Sequence, residues 1–120
     1  MAAPKILIVD RYDPMRKLGK EEMEEAGWEV RTAATRAEAL EIFETEKDFS
    51  LVTLDIFLPD DGVRLLHALL EKRRGRKPLI FVLATHDLQG LDVLKADEYI
   101  IKTAHAWVDV LKAYEKRVVR

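Results

Sequence analysis

Five short apolar segments, each followed by a stretch with helical periodicity, constrain this chain more than any other feature. Lys5–Val9, Glu29–Ala33, Leu51–Leu54, Leu79–Ala84 and Glu98–Ile101 are brief and mostly rich in β-formers; the first, third and fourth are nearly continuous in apolar residues. Continuous runs of that length fit parallel strands covered on both faces, while Glu29–Ala33, the weakest, fits an edge strand. Between them, Asp13 followed by Pro14 offers an N-cap with proline at the first helical position, opening a helix to about Ala26 that Gly27 terminates. Thr35-x-x-Glu38 is a capping box whose helix is expected to bury Ala37, Leu40 and Phe43. Val63, Leu66, Leu69 and Leu70 make a third apolar face, and Trp107, Leu111, Tyr114 and Val118 a last one. Only a short fourth helix fits between Leu88 and Lys95. Right-handed crossovers turn βα repeated five times into an α/β fold, a parallel sheet with helices on both faces.

The 120 residues hold no linker, repeat or low-complexity segment, and residues 1–120 are read as a single domain. Hydrophobic residues at 48% beside 35% charged ones are the balance of an ordinary globule, which argues against disorder. A net charge of −2 gives no global field that would recommend nucleic acid or an anionic membrane as partner. Absence of cysteine rules out a disulfide framework and a thiolate metal site, and it is compatible with a reducing cytosol. The longest apolar run, Leu79–Ala84, is far too short to span a bilayer, and the first residues form no signal-peptide core. The expected location is the cytoplasm. The one charge cluster, Lys72, Arg73, Arg74, Arg76 and Lys77, reads as a helix end followed by a solvated turn.

Ligands of open parallel sheets bind beyond the carboxyl ends of the strands. Asp10 and Arg11 follow the first strand, Asp55 the third, Thr85 and His86 the fourth and Lys102 the fifth. Acids at strand ends converging with a lysine suit a cation and a phosphoryl group. These residues also carry a resemblance. Ile6-Leu-Ile-Val-Asp10, Leu54-Asp-Ile-Phe-Leu-Pro59 with Asp61-Gly62, and Ala96-Asp-Glu-Tyr-Ile-Ile-Lys102 resemble, in order and register, the motifs of response-regulator receiver domains. The resemblance covers nearly the whole chain and implies a flavodoxin-like (βα)5 sheet of strand order 2-1-3-4-5. It implies two-component signalling, in which Asp55 takes a phosphoryl group from the phosphohistidine of a histidine kinase or phosphotransfer protein. Mg²⁺ would be held by Asp10, Asp55 and the carbonyl of Phe57, an oxygen set that suits a hard cation. Lys102 would neutralise a phosphoryl oxygen, and Thr85 and Tyr99 would carry the conformational switch.

The chain departs from that pattern in four places. Arg11 stands where the family has a second acid, so metal affinity should fall; an inward Arg11 would repel Mg²⁺ and pair with Asp55, whereas an outward one merely removes a ligand. Pro59-Asp-Asp-Gly62 is a residue short, with Asp60 and Asp61 read as turn residues. Thr85 comes slightly late for the family's hydroxyl position, and Thr103 replaces a proline. The stretch from Thr85 to Ala96 is several residues short, which trims the fourth helix.

Two functions follow. One is a phosphoacceptor; the other is a phosphorylation-independent pseudo-receiver that binds a protein partner, with Arg11 fixing one conformation. Neither is an enzyme beyond self-catalysed phosphotransfer and dephosphorylation at Asp55. Output would pass to a downstream protein, and a homodimer would use the fourth helix, fifth strand and last helix, where Tyr99, Trp107 and Tyr114 are expected near one another. A flavin or nucleotide enzyme is disfavoured because Asp10-Arg-Tyr-Asp-Pro14 lacks phosphate-wrapping glycines and hydroxyls. Ser50, the only serine, precedes a strand and so sits at the wrong end for a hydrolase nucleophile. His67 reads as a half-buried surface residue, and His86 and His105 lack partners at metal-ligand spacing.

Overall fold

In a computed structural model of the chain, which describes residues 3–85 and 95–118, five strands form one parallel sheet of order β2-β1-β3-β4-β5. The elements are β1 (Lys5–Val9), α1 (Asp13–Glu25), β2 (Glu29–Ala33), α2 (Arg36–Thr45), β3 (Leu51–Asp55), α3 (Gly62–Lys72), β4 (Leu79–Ala84), β5 (Glu98–Ile101) and α4 (Ala106–Val118). The strand set is the expected one, with β2 on an edge. The expected short helix between Leu88 and Lys95 lies outside the described residues, as does His86.

Strand alternation sends successive side chains to opposite faces and builds two cores. On one face Leu7, Val9, Val52, Leu54, Ile80 and Val82 pack beneath α2 and α3 with Ala39, Leu65, Leu66 and Leu69. On the other, Ile6, Ile8, Leu51, Leu79, Phe81 and Leu83 meet α1 and α4 through Met23, Trp107 and Val110. The central strands β1, β3 and β4 are therefore buried on both sides, which is why they are nearly continuous in apolar residues, whereas the edge strand β2 carries exposed Glu29 and half-buried Arg31 and Thr32. Trp107 is the largest fully buried side chain, and it lies so close over Gly19 of α1 that a Cβ there would fall 2.4 Å from its ring. Trp28 meets Tyr114 edge to face at 4.7 Å.

Several local expectations need correction. Asp13 does not cap α1: Tyr12 is the N-cap, without a side-chain bond, and Asp13 is the first helical residue, paired with Arg16 and Lys17. An acid inside the first turn of a helix gains from the macrodipole as well as from the i+3 and i+4 cations. Thr35 does cap α2, accepting from Glu38 N, while Glu38 accepts from Ala34 N. Its buried face is Ala39 with Leu40, Ile42 and Phe43 partly covered, whereas Ala37 is exposed. Leu65 joins the buried face of α3, His67 is exposed, and Val118 at the end of α4 is exposed while Val110 is buried. Tyr99 packs on the α2–α3 side and Trp107 and Tyr114 on the α1–α4 side, so the three aromatics do not form one surface.

Candidate functional site

Because all five strands are parallel, their carboxyl ends share one rim, and register decides what meets there. Val9 is level with Leu54, and Asp55, the last residue of β3, is level with Leu83. Asp10 and Asp55 are thus neighbouring strand ends, both almost completely buried. Each carboxylate is fixed by its own loop: Asp10 Oδ1 accepts from Tyr12 N at 2.8 Å and Asp55 Oδ1 from Phe57 N at 2.9 Å. Lys102 follows β5, and its N–H donates to Ala84 O at 2.7 Å, carrying the strand pairing one residue past Ile101. That step aims its side chain along the rim, where Nζ lies 2.7 Å from Asp10 Oδ2 and 3.5 Å from Asp55 Oδ2. Burial pushes the Asp10 carboxyl above its ordinary value, and the bond from Lys102 pulls the other way.

Arg11 points inward. Its Nε lies 3.4 Å from Asp55 Oδ2, and Nη1 donates to Phe57 O at 3.0 Å. Asp55 Oδ2 is buried and accepts no hydrogen bond from the described residues, and it is held only by ion pairs with Arg11 at 3.4 Å and Lys102 at 3.5 Å. Four charges that sum to zero meet at this point, and the oxygen they surround is kept unshared. Such an oxygen can attack an electrophile that Arg11 and Lys102 would orient.

A model of the response regulator receiver domain matches residues 6–115. The chain belongs to this family. It is 33% identical over 102 residues to the transcriptional regulatory protein SrrA of Staphylococcus aureus, an alignment spanning 81% of the chain and 41% of SrrA. The chain therefore spans about two-fifths of the length of the curated relatives it matches. Among solved structures, the response regulator TrrA of Thermotoga maritima, in complex with Mg²⁺–BeF, is 32% identical with a TM-score of 0.81, covering 97% of this chain and 99% of that one. TrrA is also known in complex with the histidine kinase ThkA, again 32% identical, with a TM-score of 0.80 and coverage of 98% and 99%. A receiver from Methanospirillum hungatei superimposes with a TM-score of 0.85 at 29% identity, covering 96% of this chain and 93% of the other.

The donor set of this receiver does not fit a divalent cation as it stands. Of the oxygens expected to hold Mg²⁺, Phe57 O accepts from Arg11, Asp55 Oδ2 faces Arg11 and Lys102, and Asp10 Oδ2 is paired with Lys102. Among the described residues no group of three metal-ligating side chains comes together. A dication about 4 Å from the guanidinium would be repelled by roughly 8 kcal/mol at an effective dielectric near 20, with Lys102 adding more.

The remaining expected residues fall around the rim. Thr85 comes directly after β4, exposed, and two positions beyond the residue level with Asp55, as late as its sequence position implies. Tyr99 is half-buried, its hydroxyl accepting from Ala96 N at 3.0 Å. Asp61 is the left-handed N-cap of α3, accepting from Arg64 N. Asp60 does more than turn the chain: its carboxylate accepts from Arg36 N and Ala37 N, holding the start of α2 to the loop after β3. Asp97, not singled out in the sequence, takes Arg73 and Ile80 N at 2.7 Å each and ties the turn before β4 to that before β5. Gly62 was visible only as part of a motif. A Cβ there would lie 2.3 Å from Ile56 O and 2.9 Å from Asp55 O, so α3 starts flush against the end of β3 that carries Asp55 and the residue after it. Ser50 lies at the opposite rim, beside a cavity of about 600 Å³ also lined by Arg76, Lys77, Tyr114 and Lys116.

Proposed function

We propose that this chain is one receiver domain of a cytoplasmic two-component phosphorelay and accepts a phosphoryl group on Asp55. The supporting observation is the convergence of Asp55, Asp10 and Lys102 at one rim, with Asp55 Oδ2 buried, unshared and flanked by cations. The donor is the phosphohistidine of a histidine kinase or phosphotransfer protein, as the pairing of the relative TrrA with its kinase supports. Asp55 Oδ2 attacks phosphorus, the bond from phosphorus to the histidine nitrogen breaks, and Lys102 compensates charge gathering on the phosphoryl oxygens. The new dianion then draws Thr85 and Tyr99 into a second arrangement that a downstream protein reads. Exposed Ile101 on β5 and Val108 on α4 belong to the surface offered to that protein or to a second copy of the chain.

The test uses acetyl phosphate followed by borohydride, which traps an aspartyl phosphate by reduction. The peptide containing Asp55 is expected to carry the reduced product, and the Asp55→Asn variant none. A second reading, a module that binds its partner without phosphate, draws on the Arg11–Asp55 ion pair, which already holds the site neutral. An unlabelled wild-type chain alongside a labelled Arg11→Asp variant would decide for it.

A further inference from the structure

The Arg11 guanidinium occupies the coordination space that a divalent cation would need. It donates to Phe57 O at 3.0 Å and stands 3.4 Å from Asp55 Oδ2, bridging one oxygen at the end of β3 and one from the loop that follows. The third expected metal ligand, Asp10 Oδ2, is held by Lys102 at 2.7 Å. Arg11 is about half exposed, so its fork of donors can turn outward without unpacking the core. Its Cζ also lies 5.9 Å from the centre of the exposed Phe57 ring, which steadies the planar group over the loop.

We propose that Arg11 is this receiver's resident cation and that Asp55 is phosphorylated without a divalent metal. The inference rests on the reading of Asp55 as acceptor. A guanidinium presents parallel N–H donors that match two oxygens of a phosphoryl group, so one arginine supplies both the charge and the orientation that a metal supplies elsewhere. With acetyl phosphate as donor, Asp55 Oδ2 forms a bond to phosphorus and the bond from phosphorus to the acetyl oxygen breaks. Acetate leaves with the electron pair, and no proton or metal is needed for the balance. In the product, Arg11 exchanges Asp55 Oδ2 for two phosphoryl oxygens, and Lys102 takes the third.

The experiment compares the full wild-type chain and the Arg11→Asp variant, each treated with acetyl phosphate in EDTA and in Mg²⁺, with the Asp55 adduct followed by mass. EDTA is expected to slow wild-type labelling by less than about twofold and that of the variant by about tenfold or more, since the variant regains a third carboxylate and a metal requirement. Calorimetric titration with Mg²⁺ gives a readout apart from labelling: heat of binding for the variant and none for the wild type. Wild-type labelling that appears only with Mg²⁺, or wild-type Mg²⁺ binding as tight as the variant's, overturns the inference and leaves Asp55 as acceptor. No wild-type adduct in either buffer overturns the acceptor reading itself. The wild-type arms need no substitution, so they decide even if the variant folds poorly.

Discussion

Replacing Gly62 with alanine should destabilise this receiver and slow chemistry at Asp55 together. Gly62 is the first residue of α3, and a Cβ would meet Ile56 O at 2.3 Å, Ile56 C at 2.6 Å and Asp55 O at 2.9 Å. All three are main-chain atoms, so no flexible side chain can swing aside, and the loop after β3 must retreat by roughly an ångström to restore ordinary contact. Helical propensity favours alanine by at most about 1 kcal/mol, whereas forcing a methyl into a filled space typically costs about 1–3 kcal/mol and more where backbone must move. A net loss of about 1–2 kcal/mol is expected from urea unfolding. The displaced segment carries Asp55 and Phe57, and a misplacement of about an ångström can cost on the order of a hundredfold in rate, so adduct formation should fall steeply even where the chain is fully folded. Gly19→Ala is the control. There the clash is with the Trp107 ring at 2.4–2.9 Å, on the far face of the sheet, so stability should drop while folded-state labelling stays near wild type. A Gly62→Ala protein as stable as wild type, with unaltered labelling, would refute the reasoning.

Trp107→Ala should cost about 3–5 kcal/mol in urea unfolding, because the largest fully buried side chain leaves a cavity between α1 and α4; a loss below about 1 kcal/mol would mean that the helices close over the gap. Tyr99→Phe removes the acceptor for Ala96 N and should cost about 0.5–1.5 kcal/mol without preventing the Asp55 adduct, as unfolding and mass measurements would report. Acid should weaken the fold partly through Glu46 and Asp60. Lys5 and Arg31 hold the Glu46 carboxyl below its ordinary 4.5, and the N–H groups of Arg36 and Ala37 hold Asp60 below its ordinary 3.8. A depressed folded-state value stabilises above the unfolded value and is lost as pH falls through the folded one, so the contribution fades from about pH 5 downward. Unfolding curves of Glu46→Gln and Asp60→Asn should therefore approach wild type as pH falls through that range; a gap that stays constant would count against this assignment.

What the sequence disclosed and what it hid divide along a physical line. Strands covered on both faces must be apolar at nearly every position, so Ile6–Val9, Leu51–Leu54 (Thr53 apart) and Leu79–Ala84 stand out from any surrounding pattern, and their parallel order places Asp10, Asp55 and Lys102 on one rim before any coordinate is known. Short-range signals that depend on a single rotamer fared less well. Asp13 before Pro14 has the chemistry of a cap, but Arg16 and Lys17 one turn on give its carboxylate a better use inside the helix. Ala37 and Ala39 are chemically identical but lie about 200° apart around α2, and only the packed helix shows that the second faces the core. Asp60 and Asp97 act across gaps of 24 and 17 residues, beyond the reach of any local pattern. Tyr99 was set beside Trp107 because neighbouring elements carry them, yet a strand turns alternate residues to opposite faces, and Tyr99 and Ile100 enter different cores.

The direction of Arg11 belongs to the same class and has the greatest consequence. Sequence alone left the guanidinium free to enter the site or to leave it, since a surface arginine after a strand has solvent as an alternative. What draws it inward is the Phe57 carbonyl together with the unshared oxygen of a buried carboxylate, neither of which exists until β1 and β3 pair. A guanidinium is less strongly hydrated than an ammonium and forms bonds in a fixed plane, so it can bridge a carbonyl and a carboxylate at modest desolvation cost. The same position filled by an acid would repel Asp55 and call for a dication to hold the loop together; filled by arginine, it supplies the counter-charge itself. One residue thus changes which species balances the site's negative charge, while the strands that bring Asp10, Asp55 and Lys102 together remain those of its family.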